Sequence, residues 1–320
     1  MKKPMDRRSF FRNTSAGILG VGMVSNLSLF PGTAIGAPQK SKVISVCNER
    51  AISSRNVCDE KETALMLENA LMALTGKKKP KQIWTALGVL PNDVVAVKLN
   101  CNGAAYPLYT HPELVKALCA SLSSVIPPNN IILYERYGSE LEKAGFKVNK
   151  SDSGIRVIGI DGGMGFNPDQ GLTRIVTDTC TKLINLCSLK VHDETEFITT
   201  LFLKNHIGSL IPDNMRKCHG NIDILAEINA RPGIKNKTVL NLCDGLRATF
   251  KPGTPWFWCG ILASRDTVAA EYTALQIINK KRNEEGAAEL PIPSYMRKAE
   301  TEFALGTCNP ERIDLKNVSL

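Results

Sequence analysis

Short runs rich in Val, Ile and Leu alternate along this chain with longer amphipathic stretches, and no other feature constrains the fold as strongly. Such spacing predicts strands joined by crossover helices, which close into a sheet with helices against its faces. Strands are expected at 43–47, 94–99, 131–134, 156–160, 183–187, 239–242 and 258–262. Helices are expected near 60–74, 112–125, 139–144, 197–209, 222–230 and 266–285, with a last helix at 295–305 and a closing strand at 313–318. The expected fold is α/β: a mixed, mostly parallel sheet flanked by helices, forming a single large domain or two closely joined lobes over residues 38–320. No internal repeat interrupts this order, so a solenoid is excluded.

Several of these strands stop at polar residues. The run 94–97 ends at Lys98 and Asn100, 131–134 at Glu135 and Arg136, and 183–189 at Lys190 and His192. The run 239–243 ends at Asp244, and 261–263 at Ser264 and Asp266. Carboxyl ends of parallel strands gather at one edge, where ligands bind. A common cleft lined by Lys98, Glu135, Lys190, His192, Asp244 and Ser264 follows as an expectation. Any one polar residue in such a place is an ordinary loop start; the coincidence of five strand ends carries the argument.

The chain has 4 histidines, and His192, His206 and His219 lie close in sequence to Lys190, Lys204 and Lys217. Imidazoles beside lysines suit anion binding, proton transfer or metal ligation. No His-x-x-x-His occurs, so a zincin site is excluded and any metal would need ligands from separate segments. Lys204 sits in the apolar run 197–205, where an ammonium is costly unless paired and burial lowers its pKa. A snorkelling side chain at a helix end is the competing reading. Thr110-His111-Pro112-Glu113 reads as a helix N-terminus, with Thr110 as cap, Pro112 at an early helical position and Glu113 complementing the dipole, and its exposed amides suit an anion. The glycines at 162, 163 and 165 lack the third glycine of a dinucleotide fingerprint, and there is neither a Walker loop nor a nucleophile elbow.

The first residues carry Asp6-Arg7-Arg8-Ser9-Phe10-Phe11-Arg12, which resembles the twin-arginine export consensus. An apolar, glycine-rich segment and a small-residue stretch ending at Ala37 follow, the order of a secretory signal. The apolar run is shorter than the roughly 20 residues a membrane span needs, so no stable span is expected after cleavage. Residues 1–37 are thus expected to address the protein, through the twin-arginine translocase, to the periplasm. Removing them takes away five basic residues and one acidic residue and lowers the formal net charge from +9 to +5. What remains has no long basic run beyond 77–81 and no stacking motif, so nucleic acid is not an expected partner. The 10 cysteines are scattered, with no Cys-x-x-Cys, and most are expected to be reduced; bridges Cys180–Cys187 or Cys47–Cys58 remain open.

Six motifs in order resemble the family catalogued as domain of unknown function 362: Val97-Lys98-Leu99-Asn100; Thr110-His111-Pro112-Glu113; Leu183-Ile184-Asn185 with Leu189-Lys190-Val191-His192; Leu203-Lys204-Asn205-His206-Ile207-Gly208; Lys217-Cys218-His219; and Ala263 to Ala269. The resemblance implies a fold and a site more than a reaction. Many members carry ferredoxin-type cluster segments; this chain has no such cysteine motif, which argues against an iron-sulfur cluster. More distantly, the order His192, Lys204, His219 is similar to that of nickel-pincer lactate racemases. That likeness implies His192 as an acid/base, Lys204 as a cofactor or anion contact, His219 as a metal ligand, and a metal or organometallic cofactor loaded before export. The leading expectation is an exported enzyme with catalytic His192, Lys204 and His219, and anion contacts from Lys98, Asn100, His111, Lys190, Asn205, Asp244, Ser264 and Asp266. Its partner would be a small anionic ligand. The alternatives are a non-catalytic periplasmic binding or carrier protein, and a redox protein using Cys101 or Cys218.

Overall fold

The computed structural model describes residues 40–102 and 108–320, and the export segment with Arg7 and Arg8 lies outside them. The chain enters on β1 (Ser41–Cys47), continues through α1 (Glu60–Thr75) and α2 (Pro80–Ala86), and reaches β2 (Val95–Lys98). Helix α3 (Pro112–Leu122) leads to β3 (Ile131–Glu135), and α4 (Gly138–Lys143) to β4 (Arg156–Gly159). A small hairpin of β5 (Phe166–Asn167) and β6 (Leu172–Thr173) precedes β7 (Lys182–Ser188). The next crossover holds the short helices α5 (Phe202–Asn205), α6 (Pro212–Arg216), α7 (Ile224–Ala230) and α8 (Pro232–Lys235) before β8 (Thr238–Gly245). A second hairpin, β9 (Ala248–Lys251) with β10 (Thr254–Trp256), precedes β11 (Gly260–Ser264). Helices α9 (Thr267–Glu284) and α10 (Ser294–Thr301) and strand β12 (Ile313–Ser319) complete the order.

Among the described residues the main sheet has eight strands in the order β12-β1-β11-β8-β7-β2-β3-β4. The pairs β8–β7, β7–β2, β2–β3 and β3–β4 are parallel, as is β1–β12. Only β11 runs against its neighbours, pairing antiparallel with both β1 and β8. The sheet is thus mixed and mostly parallel, in one α/β domain. Its central strands are apolar on both faces because helices cover both. Alternate residues Ala96, Ile132, Cys187 and Cys243 pack into one core with α5, α7, α9 and α10. Val95, Val97, Leu133, Ile184 and Leu186 pack into the other with α1, α2 and α3. Burial of that kind contributes about 1.5–3 kcal/mol per large aliphatic side chain, which is why the strands read as continuous apolar runs.

Local chemistry sets the helix ends. Asp59 caps α1 by accepting from the amides of Lys61 and Glu62, and Gly76 closes that helix at φ 70°. Asp266 caps α9 by accepting from Ala269 N at 2.8 Å. Two expectations are corrected. The apolar run 197–209 is not one helix: Ile198 sits at φ 63°, Thr199 bridges back to Val191, and helical structure begins only at Phe202. The strand expected at 258–262 runs instead from Gly260 to Ser264. No helix of the described residues is long and apolar enough to cross a membrane.

Candidate functional site

At the carboxyl edge of β2 and β3, Lys98 and Glu135 form a buried ion pair, Nζ to Oε1 2.8 Å. Lys98 Nζ also donates to Leu99 O, and the carboxylate accepts from the backbone amides of Cys101 and Arg136. Both charges are therefore paired and further hydrogen-bonded, the condition under which a buried pair is tolerated. The chain returns over this pair at Gly208. A Cβ there would lie 2.8 Å from Glu135 Oε1 and 2.9 Å from Lys98 Cε, so the close approach requires glycine.

Beyond β7, the Asp193 carboxylate gathers the amides of Thr195, Glu196, Phe197 and Ile198, at 2.6 to 3.4 Å. Partial burial opposes ionisation of Asp193, but these donors outweigh it and lower its pKa. The turn they make presents the Phe197 ring to three groups. Lys204 Nζ stands 4.6 Å from the ring centroid. His192 and His219 approach the same ring edge to face, with centroids 5.3 and 5.1 Å away. Asp193 lies 3.7 Å from His192 Nε2, and Glu196 lies 3.5 Å from His219 Nδ1. Lys204 has neither an ion pair nor a hydrogen bond among the described residues.

Phe197, Lys204, His192 and His219 line a cleft of about 360 Å³ together with Lys98, Asn100, Asn205, Arg136 and Arg216. Burial, assisted by Arg136 and opposed by Asp193 and Glu196, brings the Lys204 ammonium down to about 8. Burial and the neighbouring Lys204 bring His192 down to about 4, so its imidazole is neutral at pH 7. The cleft thus offers cations, a neutral imidazole as proton acceptor, and a rigid aromatic floor.

A relay of amides fixes the inner wall. Lys190, which can only donate, gives its Nζ hydrogens to Asn100 Oδ1, Asn102 O and Leu108 O at 2.6 to 2.9 Å. Asn100 then donates to Asn205 Oδ1, Asn205 to Asn185 Oδ1, and Asn185 to the carbonyl of Phe202. Because the lysine has no acceptor, it sets the orientation of every amide that follows. Lys190 therefore anchors the inner wall and the loop after β2, and does not itself line the cleft.

The structure separates other expected residues from this cleft. His111 and Asp244 form their own buried pair, Nδ1 to Oδ2 2.9 Å, with the amide of His111 on the same oxygen at 2.7 Å. Burial opposes the charge on His111, yet Asp244 outweighs it and raises its pKa. Ser264 and Asp266 are at the opposite edge of the sheet, because β11 is antiparallel to β8 and places Ser264 beside Asn241. There Ser264 donates to Lys42 O, and Asp266 accepts from Ser41. His206 is buried against Ser209, and burial brings it down to about 3. Phe197, Arg136 and Arg216 were not expected in the site. Phe197 reads as core in any apolar run, Arg136 was noted only as a strand-end residue, and no motif marks Arg216.

The sequence model of one family, described as Domain of unknown function (DUF362), matches residues 95–276, more than half of the chain. The chain belongs to the DUF362 family. The match spans β2 to the middle of α9 and includes every cleft residue named above. No curated protein and no solved structure matches the chain. All 10 cysteines of this DUF362 chain are free, most of them buried. Among the described residues no group of three or more His, Cys, Asp or Glu side chains gathers to hold a metal.

Proposed function

We propose that this DUF362 protein is an exported enzyme that binds a small anionic molecule in the cleft around Phe197. The observation that carries the reading is Lys204: a half-buried cation without a counter-charge in contact among the described residues, flanked by two imidazoles and opening on a cleft that two arginines also line. An uncompensated buried ammonium is costly, and an anionic ligand removes that cost. The neutral His192 then accepts a proton from the bound molecule, and His219 at the mouth exchanges it with solvent.

Calorimetric titration with phosphate, sulfate and small carboxylates tests the reading. The wild type binds at least one of these, and Lys204→Met weakens binding roughly tenfold or more, as loss of a charged hydrogen bond does. Equal affinity in both proteins removes Lys204 from the site. Export by the twin-arginine route is part of the same proposal. Replacing Arg7 and Arg8 together by Lys is expected to leave the protein in the cytoplasmic fraction, and unaltered export contradicts the route.

A further inference from the structure

Most lysine side chains that are withdrawn from water in this chain have acceptors. Lys98 has Glu135 and a carbonyl, Lys190 has one amide and two carbonyls, and Lys237 has the carbonyls of Val176, Thr177 and Cys180. Among the described residues Lys204 has only the face of Phe197. An ammonium whose donors are unused gains little from its proton, and Lys204 is one of the residues that line the cleft. The same space is lined by Arg136, which is also paired to Glu140 at 3.0 Å, by Arg216, by the buried Lys98, and by His192 and His219.

Resting on the anion reading above, we propose that the Lys204 amine forms an imine with the carbonyl carbon of a 2-oxo acid, whose carboxylate the cleft arginines hold. Nζ attacks the carbonyl carbon, a C–N bond forms, and the carbonyl electron pair moves to oxygen, which takes up a proton. The amine nitrogen gives up one proton, a second proton reaches the carbinolamine oxygen from solvent so that it leaves as water, and the C=N bond remains as an iminium, which becomes the neutral imine when nitrogen releases its last proton. One water is released for each imine formed, nothing is oxidised or reduced, and hydrolysis reverses the step. A lysine desolvated beside another cation is the arrangement in which amine nucleophiles are activated. The lowered pKa of Lys204 agrees with this, since a value of about 8 leaves far more free amine near neutral pH than an ordinary lysine has. His192, neutral and within the same ring cluster, is placed to relay the proton between the amine and the leaving oxygen. The resulting iminium withdraws electrons from the neighbouring carbon on the side away from the carboxylate, so loss of a proton from that carbon becomes accessible.

The test is reductive trapping. Wild-type protein is incubated with pyruvate and sodium cyanoborohydride near pH 7.5, and modified lysines are mapped by peptide mass spectrometry. Lys204 is expected to carry the reduced pyruvyl adduct more than about tenfold faster than any exposed lysine, reflecting its larger free-amine fraction. Lys204→Arg, which keeps the positive charge, is expected to lose that adduct while still binding phosphate by calorimetry. Labelling spread over exposed lysines such as Lys77 and Lys79, with Lys204 no faster, overturns the imine proposal. In that event phosphate binding by the wild type leaves the anion reading standing, and its absence removes both.

Discussion

Glu271 on α9 is fully buried, accepting from Leu203 N at 3.0 Å and from Thr199 Oγ1 at 3.4 Å. It thereby ties the start of α5, which carries Lys204 and Asn205, to the core. Burial raises its pKa from 4.5 to about 7. The folded value lies above the unfolded one, so the native state holds this proton more tightly. Its favourable contribution is complete below about pH 4.5 and is lost as the pH rises through about 7. A difference of that size corresponds to about 3 kcal/mol between the two limits. Glu271→Gln keeps the shape of the protonated acid and cannot ionise. Urea unfolding followed by circular dichroism at several pH values is expected to show the variant more stable than the wild type at pH 8, by up to about 3 kcal/mol. The gap should close toward pH 4.5. His192 and His206 titrate in the same range, but they cancel in the difference between the two proteins. A gap that does not change with pH would refute the reasoning.

Other outcomes follow from the same geometry. Gly208→Ala forces a methyl group against the Lys98–Glu135 pair, and is expected to cost about 1–3 kcal/mol of stability together with anion affinity; an unchanged melting temperature contradicts the close approach. Because a bound anion raises the pKa of His192 from about 4 toward its ordinary range, binding near pH 5.5 should take up protons. That appears as a binding enthalpy that varies with the buffer's ionisation enthalpy, and it should vanish in His192→Ala. Thiol titration of the denatured protein without reductant should find 10 free thiols, and the native protein should react slowly, since burial raises the pKa of thiols such as Cys119 to about 12; a count of eight or fewer reveals a bridge.

The parallel part of the sheet was legible because strands covered on both faces leave uninterrupted apolar runs, as at 94–97 and 183–187. The direction of β11 was not, since periodicity reports burial and carries no information on polarity. The unforeseen β9–β10 hairpin changes the path of the chain, and with it the edge at which Ser264 and Asp266 emerge. The run 197–209 misled for a different reason: Asp193 gathers four successive amides and Ile198 takes the left-handed region, both set by tertiary contacts. In the cleft, Lys98, Asn100, His192, Lys204, Asn205 and His219 were readable as polar residues that interrupt or end apolar segments. Phe197 was invisible as the common platform, because a phenylalanine in an apolar run carries no mark of what stacks upon it.

The central claim is that Lys204, His192 and His219 share one ring and one anion. Crystals soaked in selenate report on this directly through the anomalous signal of the anion. The account predicts a selenate peak in the cleft, within hydrogen-bond reach of Lys204 Nζ and beside the Phe197 ring. Selenate bound elsewhere, with these three side chains on separate surfaces, would contradict it.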